Sequence, residues 1–158
     1  LGDFDKGIRI REKQLALAKE MDNILYELQT LGAMAFDAKR REDNSKAIKY
    51  YNMLLELIDN QLEEISITDD LKHQLLQEKI AGLLQLANIF DKLEFYEPYL
   101  EKCEYAFKLF FESKIKLNYY KERTVFFSAL IFLSKDLKSN YTIDLENMVE
   151  TLKVKYLN

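Results

Sequence analysis

Glu42-Asp43-Asn44-Ser45-Lys46-Ala47-Ile48, with Tyr51 four residues after Ala47, is the stretch that decides the fold. Its polar opening reads as a turn and helix cap, because short polar side chains satisfy the backbone N–H groups that a helix start leaves unpaired. Ala47 and Tyr51 then lie one turn apart on a single helix face. The helix before it carries Met34-Ala35-Phe36-Asp37-Ala38, again with small residues on one face. Small side chains let two helices approach closely, and aromatics fill the gaps between successive pairs. The unit is a pair of helices joined by a short turn.

Outward from this pair, the apolar spacing predicts seven helices and no strand, since no stretch alternates with period two for long. They cover about 3–21, 24–41, 46–64 and 71–93, one that ends near Ser113, then about 117–137 and 143–156. Asn23 caps the second and Thr68-Asp69-Asp70 caps the fourth. Pro98 falls in the first turn of the fifth, where its missing N–H costs little. In the fourth helix Leu76, Ile80, Leu83, Ala87 and Phe90 form one stripe, which Leu75, Leu86 and Leu93 widen. Such width predicts packing from more than one side. The last helix carries a single stripe, Leu145, Met148, Val149, Leu152 and Tyr156, as expected of a terminal capping helix.

The composition agrees with a helical chain. Hydrophobic residues make up 48% against four Gly and one Pro, so the breakers that punctuate strands and turns are scarce. A length of 158 residues suits a single domain over 1–158, and the opening Leu1-Gly2-Asp3 reads as a cut from a longer chain. The net charge of -4 gives a nucleic-acid backbone no general attraction. The longest apolar run, Ala129 to Leu133, is far too short to cross a bilayer. Cys103 stands alone, which rules out a disulfide framework and points to a reduced, cytoplasmic setting.

Leu1-Gly2-Asp3-Phe4-Asp5-Lys6-Gly7-Ile8 prefigures the stretch at 42–48, and Leu86-Ala87-Asn88-Ile89-Phe90 repeats the pattern of Met34 to Ala38 with an aromatic in the last place. Together these residues resemble the tetratricopeptide repeat. The second helix of that repeat opens Gly-Asp-aromatic-x-Lys-Ala, and its first carries large-small-x-x-aromatic. The step from Gly7 to Ala47 is 40 residues, longer than the commonest repeat of roughly 34 and similar to the longer-helix variants. Tyr99 and Cys103 replace the small and aromatic residues in the third copy, and from Leu117 onward the helix pair continues without the motif. The resemblance implies an all-α, right-handed α-α superhelix, a solenoid of about three and a half antiparallel helix pairs. The first copy lacks its own first helix, so the apolar face of residues 4–21 requires other cover, for example a second copy of the chain as a homodimer.

The resemblance also implies a ligand groove, because the first helix of each pair lines the concave surface of such solenoids. Projected onto this chain, Phe36, Lys39 and Arg40 point inward from one first helix, and Gln85, Asn88 and Lys92 from the next. An inward Asn holds a peptide backbone through paired amide bonds, and Lys or Arg meets acidic side chains or a C-terminal carboxylate. Lys39, Arg40 and Arg41 read equally well as a basic last turn facing the helix dipole.

The remaining titratable residues do not gather into catalytic machinery. His73, the sole histidine, sits beside Lys72 and reads as solvated. Cys103 falls at a packing position and reads as a buried structural thiol. Glu63, Glu64, Asp69 and Asp70 read as caps and solvated faces. No phosphate loop, calcium loop or His-Glu-x-x-His element occurs. The expectation is a module without cofactor or metal that binds a protein or peptide as a scaffold or adaptor, with no direct role at nucleic acid or membrane and no enzymatic activity. Two alternatives stay open: a peptide-sensing domain of a bacterial regulator, and a structural subunit of a large helical assembly.

Overall fold

The polar residues read as caps do start helices, each by a local hydrogen bond. The side chain of Asn23 accepts from the Tyr26 N–H at 3.1 Å, Asp43 from Lys46 at 3.1 Å, and Thr68 from Leu71 at 3.3 Å. A computed structural model of the chain describes residues 2–64 and 66–113. They form five helices: α1 Gly2–Glu20, α2 Ile24–Arg40, α3 Asn44–Leu62, α4 Asp69–Lys92 and α5 Tyr96–Ser113. There is no strand among the described residues. The chain divides into two units, Leu1–Ile115 and Lys116–Asn158, and the described residues belong to the first. The expected helices at 117–137 and 143–156 lie outside them. α3 starts two residues earlier than expected because Asp43, not Ser45, is the cap, and α4 starts at Asp69 because Thr68 itself caps it.

Three of the four connections are the same turn. α1 passes to α2 through Met21-Asp22-Asn23, α2 to α3 through Arg41-Glu42-Asp43, and α4 to α5 through Leu93-Glu94-Phe95. The middle residue in each has a positive φ: 49° at Asp22, 59° at Glu42, 60° at Glu94. The third donates its N–H to a carbonyl five residues back, Asn23 to Ala18 and Asp43 to Ala38 at 3.0 Å, and Phe95 to Phe90 at 2.9 Å. A left-handed residue at this place lets the chain satisfy the last carbonyls of the helix. At Asn23 and Asp43 the residue that closes one helix also caps the next.

Each helix packs on the next in sequence, α1 on α2, α2 on α3, α3 on α4 and α4 on α5. The small residues mark where they meet. Ala35 and Ala38 of α2, Ala47 and Tyr51 of α3, and Leu86 and Ile89 of α4 form one buried cluster. A second joins Leu28 and Leu31 of α2, Leu54 and Ile58 of α3, and Leu75 of α4. Counted from the two matching turns, Ala35 corresponds to Ala87, Ala47 to Tyr99 and Tyr51 to Cys103, and all six are buried. The pairs α2–α3 and α4–α5 are therefore two helical hairpins with one burial pattern. Gly7 differs: a Cβ built there meets nothing within 4 Å, so this glycine marks no close approach of two helices.

Leu54 holds the two hairpins together. Its side chain lies 3.7 Å from where a Cβ on Gly32 would stand and 3.2 Å from where one on Gly82 would stand. Both helices come close to α3 because these two positions carry no side chain. The same argument applies at Ala47, which is 0% exposed among neighbours from α2 and α4. Ala47→Leu is expected to overpack this joint and cost about 1–3 kcal/mol. Urea unfolding followed by circular dichroism checks it, and an unchanged midpoint would remove Ala47 from the helix contact.

α4 also buries a charge. Lys79 is 4% exposed, and its ammonium donates to the Asp59 carboxylate of α3 and, at 2.6 Å, to the Tyr105 hydroxyl of α5. The 4.7 Å between this ammonium and the Tyr105 ring centre follows from the bond to the phenol oxygen and is not a separate attraction. Burial works against the charged form, but the bonds to Asp59 and Tyr105 outweigh it and the Lys79 pKa is raised. The lysine thus ties three successive helices, with two of its three donors bonded to side chains of its neighbours.

Candidate functional site

The six residues projected inward lie on two adjoining strips. On α2, Lys39 and Phe36 fall on the flank turned toward α4, away from the core face of Leu31, Ala35 and Ala38, with Arg40 a turn beyond Phe36. On α4, Gln85, Asn88 and Lys92 recur at three- and four-residue steps, so they share one face. The buried residues of α4 occupy the rest of its circumference.

Long-range geometry joins these strips. The Lys39 ammonium donates to Gln85 Oε1 at 2.8 Å, across 46 residues of sequence. Burial, followed by the repulsion of Lys92, lowers the Lys39 pKa. Lys39 is thus bonded to a neutral amide and feels the like charge of Lys92 on the same strip of α4. Neither makes an ion pair with a described residue. The Phe36 ring is 51% exposed, and the Arg40 guanidinium stands 6.0 Å from its centre, at the outer limit of a cation–π contact. The half-buried Asn88 side chain makes no hydrogen bond to a described residue. Lys39, Gln85 and Lys92 form one group, Phe36 and Arg40 a second, and Asn88 stands between the amide and the lysine on α4.

The described residues also form a cleft of about 200 Å³, and none of the six lines it. It lies on the opposite flank of α2, between α1, α2 and α3, over Ile8, Met34, Ala38 and Tyr50. Its rim carries three acidic and three basic residues, of which Arg11 pairs with Asp37 at 3.9 Å and Lys46 with Asp43 at 2.9 Å. A cleft whose charges answer each other has less need of a charged ligand than a strip with two unanswered lysines. The uncompensated α2–α4 face is the better candidate for that reason.

Other features escape a reading of motifs. Phe95 and Tyr96, directly after α4, are 54% and 53% exposed. Exposed aromatic rings beside a helix end are common recognition elements, and the only signal for these two was their adjacency to a turn. His73 is exposed, and its Nδ1 lies 2.8 Å from the Asp69 carbonyl oxygen. Cys103 is free and buried. Among the described residues no three His, Cys, Asp or Glu side chains converge as a metal site would require. Among them, too, no helix is long and apolar enough to cross a membrane. No family model matches the chain, and no curated protein or solved structure is significantly similar to it.

Proposed function

We propose that the chain is a protein-interaction module, a scaffold or adaptor that takes a polypeptide segment along the face shared by α2 and α4. One observation carries this reading: the Lys39 ammonium of one hairpin is bonded to the neutral Gln85 amide of the other at 2.8 Å, with no carboxylate paired to it and the like charge of Lys92 acting on it. A half-buried ammonium beside a second positive charge is unfavourable alone and becomes favourable when an acidic group enters. Asn88 offers an amide for a peptide backbone, and Phe36 an exposed ring for an apolar side chain. The ligand is accordingly an acidic peptide segment or a C-terminal carboxylate. The face is the inner wall of a right-handed stack of helical hairpins of tetratricopeptide type. The shared burial pattern of the two hairpins supports that, as do the buried small residues Ala35, Ala47 and Ala87. The module performs no chemistry of its own.

Selection from a random peptide library, followed by calorimetry with a selected peptide, tests the reading. Acidic sequences are expected to be enriched. Lys39→Glu combined with Asn88→Ala should weaken their binding by at least about tenfold, which corresponds to about 1.4 kcal/mol, while helicity stays unchanged. Undiminished affinity in the folded variant would remove this face from the binding site.

A further inference from the structure

α1 has two apolar faces, and only one packs on the other described helices. Ala18 is fully buried, and Leu15 packs on the cluster shared by α2, α3 and α4. The other face turns Ile10, Leu17 and Met21 to solvent, 49%, 50% and 63% exposed. With Gly7 and Gln14 these residues alternate in steps of three and four along the helix, the seam spacing of a two-stranded coiled coil. A row of large apolar side chains on one stripe is more than the scatter of single exposed residues found on ordinary surfaces.

The charges beside the seam select its occupant. The residues immediately before Gly7, Gln14 and Met21 are Lys6, Lys13 and Glu20, so this flank is basic at the start of the helix and acidic at its end. All three are exposed, and none forms an ion pair with a described residue. We infer that α1 pairs with α1 of a second copy of this chain, antiparallel, about a two-fold axis near Lys13. Lys6 of each copy then meets Glu20 of the other, twice by symmetry. In the same register Leu17 faces Gly7 and Ile10 faces Gln14. The projecting Leu17 thus meets the position where a Cβ would find open space. Lys13 faces its own copy near the axis, as Arg11 does on the other flank, and these are the repulsive pairs. A parallel arrangement would set this flank against the other one, so that Lys6 meets Arg11 and never Glu20. This inference stands on α1 alone and is independent of the α2–α4 face.

Sedimentation velocity of the 158-residue chain over a dilution series from micromolar to millimolar tests it. The mass is expected to rise from one chain to two with concentration, and Leu17→Lys should hold it at one. Lys6→Glu and Glu20→Lys should each weaken the dimer by about tenfold, and the two together should restore it. These side chains are exposed, and circular dichroism checks that every variant keeps its helicity. Three results would overturn the antiparallel pair: a chain monomeric throughout the series, a dimer that survives Leu17→Lys, or a double variant no tighter than the singles.

Discussion

Replacing Leu54 by alanine is expected to lower the unfolding free energy by about 2–5 kcal/mol. Leu54 is 3% exposed and fills the space between Gly32 of α2 and Gly82 of α4. Truncation loses the transfer free energy of the missing carbons and leaves a cavity. Neither glycine has a side chain that can swing into the hole, so relaxation would need the helices themselves to move. In a chain of 158 residues each kcal/mol lowers the melting temperature by roughly 2–4 °C. Glu56→Ala, at an exposed position on the same helix, should be nearly neutral. A loss below about 1 kcal/mol at Leu54 would mean that α2 and α4 are not held apart by this side chain.

Alkaline pH should unfold the chain, and the sign is the same for Cys103, Tyr51, Tyr99 and Lys79. Burial pushes the Cys103 thiol from 9.0 up to about 12, although a hydrogen bond with Tyr99 works the other way. Burial alone pushes Tyr51 from 10.0 up to about 12, and Tyr99 is raised as well, chiefly by burial. A raised folded-state pKa means that the unfolded chain releases its proton first. The stability from Cys103 is thus complete below about pH 9 and is lost between about pH 9 and 12. That from Tyr51 is lost between about pH 10 and 12. Lys79, also raised, contributes fully below about pH 10.5 and loses its contribution as pH climbs through its folded value. At one pH unit per about 1.4 kcal/mol, the thiol alone accounts for a few kcal/mol by the top of this range. The melting temperature should hold near neutrality and fall steeply above about pH 9. Tyrosinate absorbance should rise together with the loss of helicity. Cys103→Ala should move the onset of the fall to higher pH. A flat profile through this range would show that Cys103 and Tyr51 are open to solvent.

The parts of the fold legible in the sequence are those governed by local physics. Asn23, Asp43 and Thr68 bond within three residues of themselves, so helix starts could be read directly. The small-aromatic pattern at Ala35, Ala47, Tyr51 and Ala87 marked core positions because residue size alone decides how closely helices approach. The left-handed turn residues were hidden, since Asp22, Glu42 and Glu94 stand where glycine is the usual signal. Lys79 was hidden for another reason: it is buried because of Asp59 and Tyr105, which come from the two neighbouring helices. For the candidate site, helical spacing placed Gln85, Asn88 and Lys92 on one strip. Nothing local told that Lys39 reaches Gln85. That contact exists because Gly32 and Gly82 bring α2 and α4 up to the same Leu54, a consequence of packing between hairpins.

The central claim is that α2 and α4 present one polypeptide-binding face. Backbone amide shifts in a 15N-labelled chain, followed while a library-selected acidic peptide is added, test it most directly. The account predicts that the perturbed amides cluster at residues 36–40 and 85–92. Shifts confined to the α1–α3 cleft around Tyr50, or scattered without a cluster, would contradict it.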